Sequence, residues 1–227
     1  LEQVKKGVFG LATRLYGLTF KKNSEIPVYH PEVETFEVFD EDGSYLGVLY
    51  TDFYPRSTKQ GGAWMTSFKD QWITREGENS RPHISLVMNF TRPTESTPAL
   101  LTYDEVETFL HEFGHALHGL MANSRYESLS GTNVYRDFVE LPSQLMENWL
   151  PEQEFLETFA HHHLTGEVLP DSLIQKIRNT QRYHVGYHCV RQLTFGMLDM
   201  AWHTQTEKIE DITAFEQNAI SPTQLLP

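Results

Sequence analysis

Three histidines and a glutamate fall within "TFLHEFGHALHGL", residues 108–120, a stretch otherwise made of apolar and helix-forming residues. His111 and His115 are four apart, so at about 100° per residue both rings lie on one helical face and can meet a single ion. Glu112 is turned about 60° from His115, beside the pair. This set suits metal-assisted hydrolysis: two neutral imidazoles hold zinc, a position remains for water, and the adjoining carboxylate takes that water's proton. The bare five-residue pattern also fits an amphipathic helix whose histidines satisfy local hydrogen bonds. Gly114 favours the metal site: it costs a helix about 1 kcal/mol relative to alanine, which makes sense where something must approach the backbone closely.

A catalytic zinc normally takes three protein ligands. The extended metzincin pattern needs glycine at position 118 and histidine at 121, where this chain has His118 and Met121. A carboxylate from a following helix is the remaining common solution, with Glu127, Asp137, Glu140 and Glu147 as candidates. "NSRYESLSGTNV" supplies a reversal, and "RDFVELPSQLMENW" then runs antiparallel to the first helix. Glu140 is the choice, because it sits among Phe138, Val139, Leu141 and Leu145, and a carboxylate buried among apolar groups needs a partner such as a metal. Glu127 lies in the polar loop. Glu147, two turns beyond Glu140 on the same face, either bonds a ligand histidine from behind or faces solvent.

The histidine helix is well marked at its start, since Thr102 and Glu105 stand at capping-box spacing. Val106, Phe109, Leu110, Phe113, Leu117 and Leu120 recur at helical intervals behind them. Upstream, Val4, Val8, Leu11 and Leu15 mark an amphipathic helix. "TFEVFDEDGSYLGVLYTDF" reads as a hairpin turning at Asp42-Gly43, with strands near 34–40 and 45–52. "AWMTSF" is strand or buried turn, and "HISLVMNF", 83–90, is a strand. Further helices are expected over about 137–150, 152–164, 171–203 and 207–219. The sum is a mostly α fold: a helical zincin-like catalytic region with a small β-sheet or hairpin element near the N-terminal part. The reading is one partial catalytic domain over 1–227, with residues 1–100 carrying a helix plus the β element and 101–227 the helical zinc-binding part.

The 227 residues carry a formal charge of -13, 39% hydrophobic residues and one cysteine. That charge argues against nucleic acid or an anionic membrane as partner, and the lone Cys189 favours the cytoplasm. No apolar run approaches the roughly 18 residues of a membrane span.

"FLHEFGHALHG", followed by the glutamate of "GTNVYRDFVELPSQLMENW", resembles the thimet oligopeptidase family of zinc peptidases, which includes oligopeptidase A and bacterial peptidyl-dipeptidase. "IPVYHPEVETFEVFDEDGSYLG", "GGAWM" and "LDMAWH" extend the similarity, which looks closest to the peptidyl-dipeptidase pattern. The resemblance implies His111, His115 and Glu140 as ligands of one zinc ion and Glu112 as general base and proton shuttle. It also implies a longer protein, with a helical part before Leu1 and a substrate-binding segment after "SPTQLLP", so that the remaining parts of the full-length peptidase are expected partners. The expected function is zinc-dependent hydrolysis of short peptides; a zinc-bound structural or interaction fragment with little turnover is the other reading.

Other histidines weigh less. "HVGYH", His184 to His188, has no carboxylate between its rings, and "HHH" at 161–163 cannot present three rings on one face. His118 reads as a satisfied helix histidine. "KQGGAW" is either a glycine turn before a strand or exposed backbone at a cleft edge that pairs with an extended peptide, as the resemblance hints.

Overall fold

The computed structural model describes residues 1–224, so the last three residues of "SPTQLLP" lie outside it. The chain divides into two compact units, Leu1–Pro170 and Asp171–Pro227. Helix accounts for 41% and strand for 16%, so the protein is mixed α/β and not mostly α.

The first unit begins with α1 (Glu2–Tyr16), ended by Gly17 in the left-handed region, φ 74°, where a side chain is strained. The strands β1 (Thr19–Lys22), β2 (Glu34–Phe39), β3 (Tyr45–Asp52), β4 (Trp64–Lys69) and β7 (His83–Val87) form a five-stranded sheet in the order β1-β2-β3-β7-β4. Two short strands, β5 (Trp72–Ile73) and β6 (Asn79–Ser80), pair separately. The hairpin expected around Asp42-Gly43 is β2–β3, antiparallel, with Gly43 at φ 83°. The sequence gives no sign that β3 and β7 pair in parallel, with Leu49 opposite Ile84. Nor does it mark Thr19–Lys22 as a strand, because this edge carries Lys21 and Lys22 in place of an apolar alternation.

Helix α2 (Tyr103–Leu120) lies across the sheet, packed on β7, β4 and β3. Its capping box is complete: the Glu105 amide donates to Thr102 Oγ1 at 3.2 Å, and the Thr102 amide donates to Glu105 Oε2 at 2.8 Å. The buried face carries Phe109 and Phe113, each worth roughly 1.5–3 kcal/mol when fully removed from water. Phe113 stacks on Phe9 of α1 at 5.7 Å, Phe9 stacks in turn on Phe20 of β1 at 4.4 Å, and Phe109 meets Phe53, just past β3, edge-on at 5.2 Å, so aromatic contacts link both helices to the sheet region. At the C-terminal end, Arg81 donates to the carbonyls of Leu120 and Ala122, satisfying acceptors that the last turn leaves open.

After a 3-10 turn at Glu127–Leu129 come α3 (Arg136–Val139), α4 (Leu141–Glu147) and α5 (Gln153–Leu156). The single helix expected over 137–150 is broken at Glu140, and the one over 152–164 is a single turn. In the second unit, α6 (Asp171–Thr180) and α7 (Val185–His203) are separated at His184, whose φ of 56° takes the chain out of the helix expected across 171–203. α8 (Ile212–Ile220) packs on α7. No helix among the described residues is long and apolar enough to cross a membrane.

Candidate metal centre

The site is made where α4 crosses α2. Gly114 makes the crossing close: a Cβ there would stand 2.5 Å from the Pro142 carbonyl oxygen and 2.6 Å from Ser143 Cα. The group that needs a bare backbone at Gly114 is thus the start of α4, immediately after Glu140. That approach brings Glu140 Oε2 to 3.2 Å from His111 Nε2 and 3.1 Å from His115 Nε2. The three donor atoms lie within 4.8 Å of one another, and the two rings are 5.0 Å apart, nearly perpendicular.

The electrostatics follow from the hydrogen bonds. His111 Nδ1 is 2.5 Å from Glu147 Oε1, which as a carboxylate oxygen accepts the Nδ1 proton and leaves Nε2 with its lone pair toward Glu140. Burial pushes the His115 imidazole below its ordinary pKa, favouring the neutral ring. Ser143 Oγ donates to Glu140 Oε2 at 2.8 Å and holds that carboxyl below the usual range. The His111 lone pair, His115 Nε2 and a carboxylate oxygen thus converge on one point. Nitrogen, nitrogen and oxygen donors of these types suit a divalent transition ion, so the residues fit a metal.

Glu112 lies beside this cluster, 8% exposed, on the side facing β4. Burial raises its carboxyl pKa, opposed by His111 and by the backbone of Met65, while Glu140 adds to the rise. An open groove of about 260 Å³ runs past it, lined by Ala63, Glu107, Thr108, His111, Glu112 and Glu147. Glu107 is also pushed upward, by burial first and then by Glu147 and Asp104.

One reason given for Glu140 needs correction. It is 49% exposed, at the joint of two short helices, and its neighbours Phe138, Leu141 and Leu145 are exposed as well. Ser143 and the two histidines orient it, not an apolar surround. The sequence signals Ser143 only by its position three residues after the glutamate, where a hydroxyl can reach back to a carboxylate at a helix start. Glu127 and Asp137 lie apart from the cluster, exposed on the 3-10 turn and on α3. His118 shares the face of His111 and His115 but packs on Phe138, and its buried Nδ1 has no partner among the described residues, so it is not the satisfied histidine expected. His161, His162 and His163 are exposed beyond α5, and His184 and His188 are exposed at the start of α7.

A cluster of this kind, with a buried carboxylate beside it and an open groove in front, is the constellation of a metal-dependent hydrolase. The model of peptidase family M3 matches residues 1–221, and the chain belongs to that family. Among its relatives, dipeptidyl carboxypeptidase of Salmonella typhimurium is 42% identical over 224 residues, covering 98% of this chain and 32% of the relative. Dipeptidyl carboxypeptidase of Escherichia coli is 42% identical over 219 residues, 96% of this chain and 32% of the relative. Oligopeptidase A of Salmonella typhimurium is 42% identical over 200 residues, 88% and 29% respectively. The chain therefore spans about a third of the length of the curated relatives it matches.

Proposed function

We propose that the chain carries the zinc-binding heart of a metallopeptidase that hydrolyses short peptides, with His111, His115 and Glu140 as the metal ligands and Glu112 as the proton carrier. The observation that supports this most is the convergence of three electron-pair donors on one point beside a buried carboxylate. The names of the relatives, dipeptidyl carboxypeptidase and oligopeptidase A, support peptides as substrates. Zinc is favoured because two imidazoles and one carboxylate form a common catalytic zinc set, one ion per chain. Among the described residues the donor group has three members, which favours an open site over the closed four-ligand kind that holds structural zinc.

An ion held there supplies Lewis acidity for a peptide carbonyl and for water. The rest is the work of the chain's own residues. Glu147 fixes the tautomer of His111, and Ser143 fixes the rotamer of Glu140, so two of the three donors are held in place. Glu112, drawn toward neutrality by burial, takes a proton from the attacking water and returns it to the departing amine. The edge strand β4, which starts at Trp64 directly after the groove residue Ala63, offers main-chain groups to an extended peptide. In this reading the whole chain is one partial catalytic domain of a zincin-like enzyme, cytoplasmic, and completed by the other parts of the peptidase.

The test is Glu112→Gln. We expect one zinc per chain to be retained by metal analysis, while cleavage of a quenched fluorescent peptide falls by roughly 10²- to 10⁴-fold. A variant as active as its parent overturns the assignment.

A further inference from the structure

The segment between β3 and β4 has no regular structure of its own, yet it is held at three points. Lys59 Nζ, with a side chain 2% exposed, donates to Asp52 Oδ1 and the Asp52 carbonyl at 2.9 Å each and to the Tyr54 carbonyl at 3.0 Å. Arg92 donates to the Pro55 carbonyl at 2.7 Å. Nearest the groove, Asn89, just past the end of β7, donates through Nδ2 to the Gln60 carbonyl at 2.9 Å and to the Gly62 carbonyl at 2.7 Å. Both protons of that amide are thereby used on one turn.

The turn is otherwise loose. Gly61 and Gly62 are exposed, a Cβ on either would touch nothing within 4 Å, and Gly62 is at φ 94°. Without the Asn89 bonds, these two glycines would let the entry to β4 wander, since glycine restricts the backbone least. The next residue, Ala63, lines the groove, and the backbone of Met65 lies beside Glu112.

We propose that Asn89 is a positioning residue for the substrate groove: its carboxamide fixes the Gln60–Gly62 turn and so the Ala63–Met65 backbone that borders Glu112. The inference rests on the peptidase reading for its catalytic consequence, but its structural part stands independently.

Asn89→Asp keeps the shape and turns two attractions into two repulsions, a carboxylate oxygen against two carbonyls. On the zinc-loaded full chain, hydrogen exchange followed by mass spectrometry should show residues 60–66 exchanging about tenfold faster while β3 and β7 keep their protection. Zinc stoichiometry should stay at one, and KM for a quenched peptide should rise about tenfold with kcat changed much less. Exchange unchanged at 60–66, or raised equally through β3 and β7, overturns the proposal, as does a kcat loss at constant KM. Asn89→Ala, which removes the bonds without adding charge, gives a weaker form of the same result if the proposal holds. A parent chain that binds zinc and cleaves nothing even when joined to the other parts of the peptidase sinks the peptidase reading; local loosening in Asn89→Asp then still supports the hold on the turn, so the two failures are distinguishable.

Discussion

Two polar clusters of this protein are both built on a carboxylate with close neighbours, and they differ in whether their charges close. At the end of β3, Asp52 is 1% exposed, takes Arg56 at 2.8 Å and Lys59 at 2.9 Å on one oxygen, and accepts the Tyr29 hydroxyl at 3.0 Å on the other. Anion and cations are both present, so that cluster is complete as it stands. Between α2 and α4, Glu140 faces no lysine or arginine but the ring nitrogens of His111 and His115, with the Ser143 hydroxyl donating to it. The first is a structural tie; the second gathers two imidazoles and a carboxylate of the kind that could hold a metal ion.

The sharpest way to break this contrast is to delete the anion of the closed cluster. Asp52→Ala leaves Lys59 buried and uncompensated, and the expected loss is about 3–5 kcal/mol of stability, read from urea unfolding. A loss below about 1 kcal/mol would show that the cluster is not a tie. Next is Gly114→Ala, which drives a methyl into the Pro142–Ser143 backbone. It should cost about 1–3 kcal/mol and, by pushing Glu140 off the two histidines, weaken zinc binding about 10- to 100-fold in a chelator competition. Parental zinc affinity would show that α4 does not need the close approach.

Acid gives a smaller effect. Burial raises the Asp52 carboxyl, but Arg56, Lys59 and Tyr29 more than reverse this, so its folded pKa lies below the ordinary 3.8. Its contribution is therefore present above about pH 4 and is lost as the pH falls through the folded value. The parent should lose up to about 1.4 kcal/mol per pH unit from this group there, and Asp52→Asn should show a shallower acid limb in the same titration. The smallest effect sharpens the other side of the comparison. Glu140→Gln should alter the stability of the metal-free chain by less than about 0.5 kcal/mol, while abolishing the rise in melting temperature that zinc gives the parent. A large destabilisation without metal would mean that Glu140 is part of the scaffold.

How much of this was readable in advance depended on the distance along the chain over which each feature is decided. The α2 helix, its Thr102–Glu105 cap and the turn at Gly43 are settled by neighbours within a few residues, and they stand where spacing put them. Adjacent placement of His111 and His115 is the same kind of fact. Glu140 was reached by eliminating alternatives, and the burial invoked for it is absent; what holds it is Ser143, together with a helix crossing made possible by Gly114. The β3–β7 pairing, the Asp52 cluster and the Asn89 hold on Gln60 and Gly62 join residues 4 to 35 positions apart, and no periodicity encodes them. The break at His184 has no proline to mark it, and the nearest glycine, Gly186, falls inside α7.

Parallel alignment of β3 with β7 also orders events in assembly. The chain must travel from Asp52 to His83, laying down the turn that begins β4 on the way, before the central pair can zip. The surface on which α2 rests is consequently a product of long-range closure, which is slow relative to helix formation. Because His111 and His115 sit on α2, the stability of that closure also bears on where the donor group stands.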